Sequence, residues 1–332
     1  MTEMLLYLYA ESPVHAGASD SLGVLDLPVQ REAFTGYPVI WGQSLKGALR
    51  QAALEADLDD LVVPVFGAPV RGPDDAEIEL SAGLLTVGDA QLVAMPVPTL
   101  QRTFAWVTSE LALNRLARKY ARLGIADLPQ APSLTADAGA AASATWTGAG
   151  RASNQVLGPC LVRMGDAPDQ HLQHWAAQLA TDVLGAPAEA ASTPAEATKA
   201  PLAPLGAKLR DDLLAVGWDV MPMLLTECTE FVARVQLNAG KTVQNGPFHS
   251  EYLPTETILA ASLTMRPMPS GSDLTSDDVV GFLRDLLHDK LIQVGGDETI
   301  GKGLVWARLL RADDVRAVAA PEPADDGAEA GR

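Results

Sequence analysis

Asp26 stands alone between Leu25 and Leu27, two residues before Pro28. No amphipathic pattern calls for a carboxylate there. Beside a phosphodiester it could position a 2′-hydroxyl or bind Mg²⁺, although one carboxylate cannot build a two-metal site. An Asp before proline is also a turn former, so both readings stand. His15, ahead of a glycine-containing loop, offers an imidazole as general base or phosphate contact, or fills a capping or surface role. Ser44, Lys46 and Arg50 open a helix after Gly42. A helix start with two cations attracts phosphate, and the same residues equally suit a capped, solvated face.

The stretch Gly296-Asp-Glu-Thr-Ile-Gly-Lys-Gly303 nearly matches G-x-x-x-x-G-K followed by Ser or Thr. Gly303 replaces the hydroxyl residue that would hold Mg²⁺, and the expected helix precedes the loop instead of following it. An NTPase is therefore excluded. Two readings remain for Gly295, Gly296, Gly301, Lys302 and Gly303. One is a tight turn between helix and strand. The other is a nest of exposed backbone N–H groups that, with Lys302, holds RNA phosphates. His171 and His174 share a helical spacing but no third metal ligand accompanies them, so they read as surface residues. Arg115, Arg118, Lys119 and Arg122 lie mid-helix without aromatic neighbours and read as a solvated face.

The net charge of −18 opposes nonspecific nucleic-acid binding, which needs clustered Lys and Arg. Acid concentrates in Glu55–Asp60, Asp74–Glu79 and Glu322–Glu329. An acidic outer surface with a basic groove reconciles charge with an RNA partner. Cys160 and Cys228 lack metal-ligand spacing, which fits a reducing cytoplasm and not a disulfide framework. No apolar run is long enough to span a membrane and no secretory leader pattern opens the chain, so no membrane partner is expected.

These side chains need elements to hold them. Met4–Ala10 and Leu84–Val93 have strand character, the second ended by Pro96 and Pro98. Ser44–Glu55, with Ser44 as N-cap, and Ser109–Leu123 have helical spacing. Asp169–Leu184 forms a further helix. Phe231–Leu237 and Thr257–Met265 read as strands around an excursion that carries turn signals at Asn238-Ala-Gly240 and Asn245-Gly-Pro247. Ser276–Leu291 reads as a helix with acid in its first turn, and Leu304–Leu310 as a closing strand. Residues 131–150 and 185–204 are rich in small residues, and the tail from Pro321 is acidic. The mixture without strict alternation predicts an antiparallel α+β fold, compatible with a split β-α-β-β-α-β core. The expected organisation is one domain over 1–320, with a partly flexible insertion at 131–205, and a disordered tail at 321–332.

Taken in order, the segments Ser12-Pro-Val-His-Ala-Gly17, Asp26-Leu-Pro-Val-Gln-Arg-Glu32, Thr35-Gly-Tyr-Pro-Val-Ile40 and Gly42-Gln-Ser-Leu-Lys-Gly-Ala-Leu-Arg50 form a series. Phe104-Ala-Trp-Val-Thr-Ser109, Glu251-Tyr-Leu-Pro254 and the terminal glycine-rich loop continue it. The series resembles the RAMP superfamily of CRISPR RNA-binding proteins, and within it the target-cutting backbone subunits of type III-B (Cmr) effector complexes. That resemblance implies a ferredoxin-like, RRM-like palm with a β-hairpin thumb at 231–257. It implies copies stacked along a CRISPR guide RNA, beside other Cmr subunits, with target RNA cut at regular six-nucleotide intervals. It places the catalytic, metal-binding aspartate on Asp26, with Mg²⁺ or Mn²⁺ as cofactor, and adds His15, Glu251 and Tyr252 as catalytic residues, the last two near the cut strand. Guide contacts fall on Ser44, Lys46, Arg50 and the 295–303 loop. A backbone subunit that binds guide without cutting, and a non-RNA acidic scaffold protein, are the alternatives.

Overall fold

The computed structural model describes residues 1–18, 26–68, 82–148, 153–186, 200–269 and 271–315. The acidic run 74–79, the acidic tail and most of the 185–204 stretch lie outside them. The strands are β1 (Thr2–Ala10), β2 (Val39–Ile40), β3 (Leu85–Val87), β4 (Ala90–Pro98), β5 (Phe104–Ser109), β6 (Ala138–Ala141) and β7 (Ser153–Leu157). They continue with β8 (Cys160–Met164), β9 (Leu213–Val216), β10 (Glu230–Leu237), β11 (Val243–Tyr252), β12 (Ile258–Met265), β13 (Lys290–Gln293) and β14 (Leu304–Leu310). The helices are α1 (Gly42–Glu55), α2 (Asp59–Phe66), α3 (Glu110–Arg122), α4 (Gln170–Asp182), α5 (Gly206–Asp212), α6 (Val220–Glu227) and α7 (Ser276–Leu287).

Among the described residues twelve strands join one mixed sheet in the order β13-β14-β1-β12-β4-β5-β9-β6-β8-β7, with β2 on β4 and β3 on β12. The fold is α+β. Its centre, β14-β1-β12-β4, is antiparallel throughout. In chain order β1, α1, β4, β12, α7 and β14 follow a β-α-β-β-α-β sequence. Parallel pairing occurs at β5·β9 and β6·β8.

The apolar run of β1 is explained by burial on both faces. Met4, Leu6, Leu8 and Ala10 enter one core under α1, α2 and α7, whereas Leu5, Tyr7 and Tyr9 enter a second core with α3 and α4. Side chains alternate along a strand, so one strand feeds both cores. Within the second core, Tyr7 Oη lies 2.7 Å from Tyr120 Oη, and Tyr120 donates to Asp182 at 2.5 Å.

Several local expectations need correction. Pro96 and Pro98 do not end β4. They sit where pairing with β12 has already stopped at Ala94, so their missing N–H groups leave no ladder bond unmade there. Ser44 does not cap α1: it lies inside the first turn, exposed, and Trp41 occupies the cap position without a side-chain bond. Asp89 supplies the acceptor instead, taking Gly42 N–H at 2.7 Å. The helix predicted to Leu291 ends at Leu287, because Asp289 turns with φ 57° and Lys290–Gln293 pairs with β14. Asn245-Gly-Pro247 is no turn but an irregularity inside β11. Gly246 there has φ +106°, and a Cβ would stand 2.9 Å from Arg234 O, so only glycine fits. The turn itself is at 238–242, where Asn238 Oδ1 accepts from Gly240 and Thr242 N–H.

Candidate nucleic-acid interface at the hairpin base

β10 and β11 form a two-stranded hairpin separate from the large sheet. Phe231, Val235, Leu237, Val243 and Phe248 on it are exposed. Its base is where the loops singled out in the sequence converge. Residues 26–29 run beside β11: Leu27 N–H donates to His249 O at 3.1 Å, and Glu251 N–H donates to Leu27 O at 2.9 Å. Val14 and Leu253 exchange both backbone bonds just below. Asp26 begins the added segment. Its Oδ2 accepts the backbone N–H of His249 at 2.8 Å, and the His249 ring Nδ1 lies 3.5 Å from the same oxygen. Both side chains are about half exposed, at 49% and 44%.

Each residue of the Asp26–Glu32 motif has a structural partner. Val29 N–H donates to Glu251 Oε2 at 2.9 Å. Gln30 Nε2 donates to Gly17 O and its Oε1 accepts from Trp41 N–H, tying the His15 loop to the start of α1. Arg31 donates to Glu251 Oε1 at 2.5 Å and to Leu225 O at 3.0 Å. Glu32 accepts from Arg115 at 2.7 Å and from Gln91 at 3.1 Å. Its carboxyl is below the ordinary range: burial alone would raise it, and bonds from Thr35 and Arg115 outweigh that.

Glu251 is 2% exposed and fully engaged by Val29, Arg31 and Thr229. A buried carboxylate with this many donors anchors the loop that carries residues 26–32. His15 is also buried, with Nδ1 2.8 Å from Glu251 O. A carbonyl only accepts, so Nδ1 carries the proton and Nε2 is the open nitrogen, facing Gly17. Tyr252 is buried and donates to Asp297 Oδ2 at 2.7 Å. Burial first and the Asp297 bond next push its phenol up. Asp297 also accepts from Arg234 at 2.7 Å. Burial raises its carboxyl, but the bonds from Tyr252 and Arg234 prevail and hold it below the usual range.

The glycine-rich loop is a connection between β13 and β14, not between helix and strand. Several of its N–H groups are already paired. Gly296 donates to His15 O and Gly303 to Pro13 O, each at 2.9 Å, while Gly301 and Lys302 donate within the loop. Gly295 has φ +90°, and a Cβ would lie 2.4 Å from His15 O, so the glycine permits this close approach. The loop therefore buttresses the His15 segment. Lys302 Nζ stands 5.1 Å over the Tyr252 ring.

Lys46 and Arg50 lie elsewhere. Lys46 lines an open cleft of about 390 Å³ with Gly42, Gln43 and Arg266. Arg50 is half-buried, with Nε buried and unpartnered among the described residues. The α3 cations are not simply solvated. Arg115 pairs with Glu32, Arg122 with Glu3, and Lys119 donates to Gln91 at 2.7 Å. Burial and then the neighbouring Arg115, Arg118 and Arg122 push the Lys119 ammonium down to about 8.

Sequence reasoning missed His249, Arg234 and Asp297. His249 meets Asp26 across 223 residues, and Asp297 meets Tyr252 and Arg234 across 45 and 63, beyond any local pattern. Among the described residues no group of three or more His, Cys, Asp and Glu is placed to hold a metal ion. Asp26 Oδ1 makes no hydrogen bond to a described residue. One open carboxylate oxygen can supply a single ligand to a Mg²⁺-type ion, which takes most of its shell from water and other partners, and does not make an all-protein cage.

The chain is 32% identical over 314 residues to the CRISPR system Cmr endoribonuclease Cmr4 of Pyrococcus furiosus, covering 93% of this chain and 96% of that protein. The crystal structure of oligomeric Cmr4 from Pyrococcus furiosus superposes with a TM-score of 0.66 at 25% identity, over 93% of this chain and 98% of that one. A chain in the cryo-EM structure of the type III-B Cmr-beta complex bound to cognate target RNA shares the fold, with a TM-score of 0.64 at 19% identity over 95% and 99%. The pattern that defines the RAMP superfamily matches residues 7–306, which include every loop that meets at the hairpin base; the chain belongs to that superfamily.

Proposed function

We propose that this chain is a backbone subunit of a type III-B effector ribonucleoprotein that binds a guide RNA and cuts target RNA paired to it. The observation that carries the reading is Asp26. It is a half-exposed carboxylate fixed at the base of a projecting hairpin, in a chain 32% identical to a protein named as an endoribonuclease. The reaction is transesterification. The 2′-oxygen of one target nucleotide bonds to the adjacent phosphorus, the P–O5′ bond breaks, and a cyclic phosphate and a 5′-hydroxyl result. The 2′-hydroxyl loses a proton and the leaving 5′-oxygen gains one.

Asp26 orients the 2′-hydroxyl through the oxygen that His249 leaves open, and takes up its proton. His15 Nε2 is an open nitrogen near that end of β11 and contacts the phosphate or the leaving oxygen. Glu251 acts through the loop that carries Asp26, and Tyr252 through Asp297 and Lys302. A divalent cation bound at Asp26 would supply Lewis-acid stabilisation of charge on the phosphate. The exposed apolar hairpin acts as the thumb that parts one guide–target pair and marks the cut interval. Lys46, Arg50 and Lys302 meet guide phosphates, and copies stack along the guide beside other subunits.

Asp26→Ala tests the reading. In the assembled ribonucleoprotein it should keep guide and target affinity and lose cleavage, because a group acting on the transition state changes rate and not binding. Cleavage at the wild-type rate would remove Asp26 from catalysis. Parallel loss of binding and cleavage would make it structural. A chain that retains no guide RNA would favour an acidic scaffold.

A further inference from the structure

The carboxylate on which the proposed reaction depends is held by the hairpin and not by the large sheet. Asp26 precedes a segment that adds alongside β11 through Leu27 N–H to His249 O and Glu251 N–H to Leu27 O. The only hydrogen bond that Asp26 makes to a described residue comes from His249 N–H, and the ring of the same residue faces the same oxygen. His249 pairs with Ala233 across the hairpin. In an antiparallel ladder alternate residues direct both N–H and C=O to one side. His249 directs its N–H to Asp26 and its carbonyl to Leu27, so its main chain serves the Asp26 segment rather than β10.

From this we infer that His249 is a positioning residue for Asp26. Its backbone N–H and its ring Nδ1 hold Oδ2 and so present Oδ1 to the scissile linkage. The hairpin that contacts the target strand thereby also sets the aim of the carboxylate. The inference rests on the cleavage reading above. Its consequence is mechanical: a hairpin displaced from its seat takes the carboxylate with it, so a target that fails to seat the hairpin is held without being cut.

The test compares His249→Ala, His249→Asn and Asp26→Ala in the assembled ribonucleoprotein, with single-turnover cleavage rate and target affinity measured separately. Asn places a side-chain N–H near the position of Nδ1, whereas Ala keeps only the backbone donor. His249→Ala should slow cleavage by about 10- to 100-fold at unchanged target affinity, the scale on which misplacement of a catalytic group acts. His249→Asn should recover most of that rate. His249→Pro removes the backbone donor without breaking the ladder to β10, and should approach the Asp26→Ala rate. If His249→Pro fails to fold, the Ala–Asn pair still decides. Wild-type rates in His249→Ala and His249→Asn, with Asp26→Ala inactive, would overturn this inference and leave the cleavage reading standing. Wild-type cleavage by Asp26→Ala would instead overturn the cleavage reading itself. Equal loss in the Ala and Asn variants would overturn the role of the Nδ1 contact.

Discussion

Asp182 shows what one buried carboxyl does to this protein. It accepts from Tyr120 Oη at 2.5 Å and from Gln178 at 2.7 Å, 2% exposed beneath the sheet. Burial raises it from 3.8 to about 6, against the opposing pull of those hydrogen bonds. Between these values the folded chain binds more protons than the unfolded chain, so stability falls as pH rises through that window and is level above it. The loss is on the order of 2–3 kcal/mol. Asp182→Asn should flatten the curve: unfolding free energy measured from pH 4 to 7 should decline in the wild type and stay nearly constant in the variant. A wild-type decline that persists in Asp182→Asn would assign the pH dependence to another group.

At the scale of elements, the hairpin carries two separable parts. Its base, from Phe248 to Tyr252, is stitched to residues 26–29 and to Val14. Its outer part exposes Val235, Leu237 and Val243 and touches no other element in these bonds. Replacing Val235–Gln244 by a short turn should therefore leave the large sheet folded and Asp26 in place, since shortening a loop costs little. Target RNA should still be cut, but the products should lose their regular spacing. A product ladder at the original interval would place the ruler in another element. The loop at 295–303 shows the opposite design. Its glycines admit close backbone contact with residues 13–15, so it serves as a buttress.

Over the whole molecule, the net charge is −18, whereas the proposed partner is a polyanion. Most of the α3 cations are spent on Glu32, Gln91 and Glu3. Lys46 lies beside Arg266 in an open cleft, and Lys302 stands above the Tyr252 ring. Lys46→Ala combined with Lys302→Ala should weaken guide binding about equally across guide sequences, because phosphate contacts carry no base identity. The slope of log affinity against log salt should fall by roughly one unit per lost contact. An unchanged slope would show that these ammonium groups remain solvated in the complex.

What the sequence determined on its own was local or repetitive. The apolar run of β1, the helical spacing of α3, the acidic first turn of α7 and the closing strand β14 follow from side-chain spacing and the helix macrodipole. The ordered motifs carried the family, because they recur in a fixed order through most of the chain. The tertiary structure alone decided what those motifs touch. Asp26 meets His249, Val29 meets Glu251 and Gly303 meets Pro13 across more than 200 residues, and no spacing rule reaches that far. It also decided that Glu251 is buried against Val29, Arg31 and Thr229, and that several N–H groups of the glycine-rich loop are already paired. Whether a carboxylate or an N–H group is free depends on which distant donors and acceptors folding brings within hydrogen-bond reach.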